Sequence, residues 1–160
     1  MIDFARRNHP GRDPGTLALG AAALALALLP VAAQAGAWGV FETRCLAALE
    51  NLVPPVVAGL RQGVRAGDVT RYALDGGLAL WVEHAPGDGL LACAVHDPQG
   101  RPVPGFDAWI ADAVAAGRYV PVAGGRWHSH QWIEPILEIE KQGGGAGALT
   151  LRIVETGLEA

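Results

Sequence analysis

The feature that most constrains this fold is a pair of segments in which apolar and polar residues alternate. The turn between them is so short that the two segments can only form a hairpin. The segments VTRYAL (69–74) and LALWVEHA (78–85) flank Asp75-Gly76-Gly77. Apolar and polar residues alternate on both sides of the turn, as they do in a strand with one buried face. Glycine accepts the positive φ of tight hairpin turns. Strands joined in this way pair antiparallel, so an antiparallel sheet is predicted.

Three further segments have the composition of strands. They are LLACAVHD (90–97), RWHSHQWIEPILEIE (126–140) and ALTLRIVE (148–155). In the first of them Leu91, Cys93 and Val95 share one face, which is predicted to point inward, as are Leu149, Leu151 and Ile153 of the last. Ala92, Ala94 and His96 share the opposite face. A flexible turn is predicted at KQGGGAG, between the last two segments.

Two segments have helical spacing instead. In WGVFETRCLAALENL (38–52), one apolar face is formed by Phe41, Cys45, Ala48 and Leu49, with Leu46 and Leu52 beside it. In FDAWIADAVAAG (106–117), Gly117 stands where a C-terminal cap belongs. The Pro- and Gly-rich stretch 53–68 is interpreted as an irregular connection. The predicted order is α-β-β-β-α-β-β, an α+β fold with an antiparallel sheet of about five strands and two helices packed on one face.

The first 35 residues are typical of a secretory signal peptide. Arg6, Arg7 and Arg12 precede an uncharged Ala- and Leu-rich stretch, which is followed by Ala33 and Ala35 at the positions of an A-x-A cleavage site. An uncleaved membrane anchor is the alternative, because the apolar stretch counted through Ala33 approaches the length of a membrane span. Pro30 and the A-x-A site favour cleavage, so no stable membrane span is expected afterwards.

Residues 36–160 are then expected to form a single exported domain, periplasmic or secreted. The whole chain has a formal net charge of −4, and the segment before residue 36 carries three arginines against two aspartates. The exported part is therefore the more acidic, which argues against nucleic-acid binding. Arginine far outnumbers lysine, and Ala and Gly are abundant, which we interpret as a bacterial protein.

Cys45 and Cys93 are the only two cysteines in the chain. An even number of cysteines in an exported protein favours a disulfide, because nothing outside the cytoplasm keeps the thiols reduced. Both side chains are predicted to point inward, one from the first helix and one from the sheet. A bridge between Cys45 and Cys93 is therefore expected.

The segment RWHSHQW is the first candidate for a functional site. Alternate residues of a strand share a face, so Arg126, His128, His130, Trp132 and Glu134 are predicted to lie together on the face opposite Trp127 and Ser129. Indole, guanidinium and imidazole groups are favoured at binding hot spots. These five residues are the predicted binding surface, with another envelope protein as the expected partner.

Two other functions remain open for this segment. His128 and His130 can reach one zinc or copper ion, with Glu134, His84 or His96 as further ligands. A hydrolase would use Ser129 as nucleophile with a neighbouring histidine as base, but the serine projects to the opposite face from both histidines. We therefore expect no catalytic residues and no obligatory cofactor. The expected function is a non-catalytic binding or accessory protein of the bacterial envelope, with a periplasmic metal-binding protein as the alternative.

Overall fold

The computed structural model describes residues 36–61, 63–84, 91–130 and 135–157, all within the compact unit Ala32–Ala160. The helical elements are α1 (Ala37–Phe41), a π-helical turn (Glu42–Leu46), α2 (Ala47–Glu50) and α3 (Pro104–Ala115). The strands are β1 (Val64–Ala66), β2 (Val69–Ala73), β3 (Ala79–His84), β4 (Leu91–Asp97), β5 (Tyr119–Val122), β6 (Arg126–Ser129), β7 (Ile136–Gly143) and β8 (Leu149–Thr156).

All of these strands form one antiparallel sheet in the order β1-β2-β3-β4-β8-β7-β6-β5. The sheet consists of two four-stranded meanders, each preceded by its own helical segment. The last strands of the two meanders, β4 and β8, pair with each other at the centre. The predicted hairpin turn is present as a 3₁₀ turn at Asp75–Gly77, where Gly76 and Gly77 have φ values of 70° and 78°.

The predicted α+β fold with an antiparallel sheet is confirmed, but the prediction of about five strands is wrong, since the described residues form eight. β1 lies in the stretch interpreted from the sequence as irregular. Its three residues are all exposed, so the sequence shows no alternation that would indicate a strand. β5 contains Pro121, which lowers strand propensity but is tolerated in the edge strand that β5 forms. The segment 126–140 contains two strands, β6 and β7, rather than one long strand.

One face of the sheet carries the core. The register aligns Trp127, Ile139, Ile153 and Cys93 across four strands, and the last three of these are fully buried. The Phe106 ring of α3 contacts the Trp127 ring at a centroid distance of 5.7 Å. The first helical segment contacts the central strands β4 and β8. Both helical segments therefore cover the same side, which we call the covered face.

The predicted disulfide is present and joins the first helical segment to the middle of the sheet. Cys45 lies in the π-helical turn and Cys93 in β4, with their Cα atoms 5.4 Å apart. Both cysteines are completely buried, as predicted. The bridge closes a loop across 48 positions, so it restricts the unfolded chain strongly.

The prediction for α3 is confirmed at its buried face and at its end. Phe106, Ile110 and Ala113 are buried, and Gly117 ends the helix with a φ of 69°. Just beyond it, Tyr119 donates a hydrogen bond from its hydroxyl to Glu50 over 3.0 Å. Burial raises the pKa of Tyr119, and Glu50 raises it further, so the phenol keeps its proton and joins the end of α2 to β5.

The first helical segment ends earlier than its apolar pattern predicts. Phe41, Cys45 and Leu49 are buried as expected, but Leu52 is 51% exposed. The backbone amide of Val53 bonds to the carbonyl of Ala48, which closes the helix in a Schellman motif. Leu52 then takes the left-handed conformation, with φ 55°, where glycine is usual. Its side chain therefore leaves the helical face.

A buried carboxylate holds the loop that leads from β4 to α3. Asp97 is fully buried and accepts hydrogen bonds from the backbone amides of Gln99 and Arg101 and from the Arg101 guanidinium, the shortest being 2.7 Å. The Arg101 hydrogen bond is the main reason that the pKa of Asp97 lies below its usual value, against the opposing effect of burial. Arg101 also donates to the carbonyl of Gly76, which connects this loop to the β2–β3 turn.

The predicted signal peptide (1–35), the PGDG turn (86–89), Trp132 and Glu134 lie outside the described residues. The domain boundaries and the exported location therefore stay predictions. Within the described ranges, the model contains no helix with the length and apolar character of a membrane span.

Candidate functional site

The side of the sheet opposite the helices, which we call the open face, contains a groove of about 420 Å³. Its centre is a row of residues aligned by register: Arg71 on β2, Trp81 on β3, Ala94 on β4 and Arg152 on β8. Glu83, Ala92, His96 and Thr150 lie on the same face in the neighbouring rows. The groove therefore follows from the alternation of side chains in four adjacent strands.

Small residues in a central strand make the groove possible. Ala92 and Ala94 are each 4% exposed and form the floor, with β3 on one side and β8 on the other. Their neighbours on the flanking strands are the much larger Trp81, Glu83 and Arg152. On the open face, the side chains of β4 are therefore short and those of the two flanking strands are long.

One wall of the groove is a stack of planar groups. The Trp81 indole stacks on the His96 imidazole with centroids 5.1 Å apart and ring planes 18° from parallel. Cζ of Arg71 lies 4.7 Å from the centroid of the same indole ring. His96 Nδ1 is 3.1 Å from the Thr150 hydroxyl, which fixes the imidazole in the plane of the stack. Cation–π contact and stacking restrain all three side chains.

An ion pair crosses over the alanines and joins the two strands that flank the floor. A guanidinium nitrogen of Arg152 on β8 lies 3.2 Å from the Glu83 carboxylate on β3, with β4 between them. A longer side chain at Ala94 would occupy the space beneath this pair. Arg152 is therefore compensated by Glu83.

Arg71 differs from Arg152 in its charge environment. Among the residues that the structure describes, no carboxylate lies within ion-pairing distance of the Arg71 guanidinium. The indole beneath it supplies a weak electrostatic attraction but no counter-charge. By register, Trp81 on β3 lies between Arg71 and the alanine floor on β4, so the groove presents one positive charge across the indole from its apolar floor.

The predicted site on β6 lies at the other end of the same face. His128 Nε2 is 2.6 Å from the Glu138 carboxylate, and Arg126 reaches the same carboxylate over 3.5 Å. Glu140 pairs in register with Arg126 on one side and Arg152 on the other. We call Arg126, His128, Glu138 and Glu140 the charge ladder. Its positive groups face carboxylates on the next strand.

The predicted alternation is confirmed for residues 126–129 and 137–140. Ser129, Leu137 and Ile139 are buried on the covered face, and Trp127 is partly buried there. Arg126 and His130 are exposed. The backbone amide of His130 donates to the carbonyl of Arg118, so the chain continues alongside β5 just beyond β6. Trp132 and Glu134, the remaining two predicted binding residues, are outside the described ranges.

The two further histidines considered as metal ligands, His84 and His96, are not brought to His128. His96 lies on β4 and His128 on β6, three strand spacings away, which corresponds to about 14 Å across the sheet. His84 shares the alternation of Leu80 and Val82, which points to the covered face. In the parts of the chain that the structure describes, no three His, Cys, Asp or Glu side chains are grouped to hold a metal ion.

Ser129 has a structural role that does not fit a nucleophile. It is 7% exposed and its hydroxyl accepts a hydrogen bond from the backbone amide of Leu137 over 3.1 Å. His128 projects to the opposite face, where it contacts Glu138. The serine therefore helps to hold β6 against β7.

Comparison of the chain with protein-family models, with curated proteins and with solved structures found no significant match.

The residues of the groove were not predicted as a site from the sequence. Arg71, Trp81, Glu83 and Arg152 are spread over 82 positions, and no local motif links them. A signal was present in LLACAVHD, where two alanines occupy one face of a strand otherwise rich in larger residues. Recognising it requires the strand order, because β8 becomes a neighbour of β4 only through a long-range connection.

Proposed function

We propose that this protein is a non-catalytic binding or accessory protein of the bacterial envelope, and that it binds another envelope protein through the open face of its sheet. The observation that carries this proposal is the groove over Ala92 and Ala94, which is lined by tryptophan, arginine and histidine side chains. Concave, mostly apolar surfaces with a few polar groups are the usual places for ligands. Tryptophan and arginine are enriched among the residues that contribute most to protein–protein affinity.

The disulfide supports an extracytoplasmic location. Cys45–Cys93 is fully buried and joins the first helical segment to the sheet. Bridges of this kind persist where thiols are not kept reduced. Together with the predicted signal peptide at residues 1–35, the bridge favours the periplasm or the cell exterior.

A binding role agrees with how the polar groups of the groove are held. The Glu83 carboxylate is paired with Arg152, and the His96 ring is restrained by Trp81 and Thr150. Side chains that are fixed before a ligand arrives lose little conformational entropy on binding. The charge ladder extends the open face away from the groove and supplies a polar rim of the kind that surrounds an interface core.

Photo-cross-linking in the protein's own host tests this proposal. A photoreactive amino acid is placed at Gln142, beside the groove, and in a matched protein at Asp112, an exposed position on α3. We expect a discrete cross-linked product from position 142 and none from position 112. Ala94→Leu, which fills the groove without removing a charge, is expected to abolish the product. Equal products from both positions, or a product unaffected by Ala94→Leu, would contradict the proposal.

A further inference from the structure

We infer that the groove receives a single carboxylate attached to an apolar group, contributed by a segment of the partner protein. This inference deepens the proposed function and rests on it. It follows from three observations on the open face: the Arg71 cation, which no carboxylate of the described residues pairs, the apolar floor of β4 and the carboxylate of Glu83.

Arg71 supplies the recognition of the anion. Its Cζ lies over the Trp81 ring, 4.7 Å from the centroid, and no carboxylate in the described part of the chain forms an ion pair with it. A guanidinium presents several N–H donors in a plane, which matches the two oxygens of a carboxylate. The indole holds the group in position, so the partner does not have to order a mobile side chain.

The floor supplies the recognition of the apolar group. Ala92 and Ala94 line the groove and are each 4% exposed, and Val69 on β2 is a further apolar lining residue. An aliphatic or aromatic side chain resting there would contact methyl groups and the edge of Trp81. Burial of that side chain contributes in proportion to the apolar area that leaves water.

Glu83 restricts the charge of the ligand. Its carboxylate belongs to β3, the strand of Trp81, and is already paired with Arg152. A dianion such as a phosphate monoester would find only the Arg71 guanidinium available for its two charges, because Arg152 is already paired with Glu83. A monocarboxylate places its charge at Arg71 and its apolar part over β4.

The form of the groove favours a protein segment as the source of the carboxylate. The same face continues beyond Arg152 across β7 and β6, where Glu140, Arg126 and His128 lie. An extended segment anchored at Arg71 has this surface to lie against. The chain end of a partner provides both required groups in one residue when its last side chain is apolar.

Matched small probes test the inference directly on the purified protein. N-acetyl-leucine carries a carboxylate on an apolar residue, N-acetyl-leucinamide lacks the charge, and N-acetylglycine lacks the apolar side chain. Binding is followed by NMR through the indole N–H signal of Trp81. We expect saturable binding of N-acetyl-leucine, with the amide weaker by about 10- to 100-fold, the range for a hydrogen-bonded charge. N-acetylglycine should also bind more weakly.

Substitutions at Arg71 and Ala94 test the contributions of the cation and of the floor separately. Arg71→Gln should weaken N-acetyl-leucine binding by about the same factor as the loss of the probe's charge. Arg65→Gln is the matched control, because Arg65 is exposed on β1 and bonds to the carbonyl of Gly67 outside the groove. Ala94→Leu should prevent binding of all three probes. Equal affinity for acid and amide, or undiminished binding to the Arg71→Gln protein, would overturn the inference.

Competition distinguishes failure of this inference from failure of the proposed function. If the product from position 142 forms in the host but N-acetyl-leucine does not bind the groove, the carboxylate is wrong and the binding face stands. If N-acetyl-leucine binds in an Arg71-dependent way but no product forms, the carboxylate site stands and the envelope partner is wrong. Loss of the product when N-acetyl-leucine is added to a membrane-and-periplasm extract supports both.

Discussion

The two ends of the open face contain similar side chains but differ in what they can bind. At the charge ladder, Arg126 and His128 both contact Glu138, and long side chains occupy successive positions. At the groove, two alanines lower the surface and Arg71 has no partner carboxylate within the described residues. Aromatic and charged residues alone therefore do not distinguish a site. The distinguishing features are small neighbours that create room and a charge that remains uncompensated.

Removal of the disulfide should have the largest effect and should affect the two ends unequally. Changing Cys45 and Cys93 to alanine releases a constraint that is worth about 4 kcal/mol for a loop of this length in the chain-entropy model. Because Cys93 lies on the strand that forms the groove floor, amides of β3 and β4 should exchange faster than those of β6 and β7. Urea unfolding and hydrogen exchange measure the two effects. Uniform acceleration across the sheet would remove the predicted difference between the ends.

Asp97→Asn should have the next largest effect, and it tests the groove end specifically. The substitution removes the charge-assisted bonds to Arg101 at the end of β4, and we expect a loss of about 2–3 kcal/mol after allowing for the exposure of Arg101. Thermal and urea unfolding at neutral pH measure it. An unchanged free energy of unfolding would mean that the turn after β4 is held by other contacts.

The same carboxylate predicts the acid dependence of stability. The pKa of Asp97 is lower in the folded protein than its usual value of 3.8. The folded state therefore binds this proton less readily than the unfolded state, so the stabilisation is present above pH 3.8 and is lost as the pH falls further. The Asp97→Asn protein should show a shallower loss of stability in this range. Parallel profiles for the two proteins would contradict the assignment.

Two substitutions, one at each end of the open face, should lower the free energy of unfolding by smaller amounts. Trp81→Ala removes a half-buried side chain and should cost about 1–2 kcal/mol, less than truncation of a fully buried tryptophan. It should also abolish the cross-linked product from position 142. Glu138→Gln weakens the contacts of Arg126 and His128 and should cost about 1 kcal/mol or less, with the product retained. Loss of the product in the Glu138→Gln protein alone would place the binding site at the charge ladder.

Removal of metal should have the smallest effect. His128 is engaged with Glu138, and among the described residues no three potential metal ligands are grouped. Treatment with EDTA is therefore expected to leave the unfolding temperature unchanged. Elemental analysis of protein purified from its own host is the complementary measurement. About one equivalent of zinc or copper, lost in the His130→Ala protein, would support a metal site at the charge ladder instead.

Local patterns predicted the parts of the fold that depend on neighbours in sequence. Alternation assigned Cys93, Leu151 and Ile153 to the covered face, and helical spacing assigned Phe106 and Ile110 to the core. The bridge between Cys45 and Cys93 followed from the same patterns. The number of strands was harder to predict from the sequence, because β1 has too few residues to show a period and β5 contains a proline.

The groove could not be predicted because it depends on strand order. Trp81 and Ala94 become neighbours through a hairpin, but Arg152 reaches them only when β8 pairs with β4. The segment RWHSHQW attracted attention because its residues are adjacent in sequence. In the structure, Arg126 and His128 face carboxylates on β7. The residues opposite them are ten or more positions away in sequence, so the local pattern does not reveal these contacts.

The most direct test is the yield of the cross-linked product from position 142, measured side by side for the unmodified background, Ala94→Leu and Glu138→Gln. If the groove is the binding surface, the product disappears in the Ala94→Leu protein and persists in the Glu138→Gln protein. The reverse pattern, with the product retained when the groove is filled and lost when the charge ladder is altered, would contradict the assignment of the site to the groove.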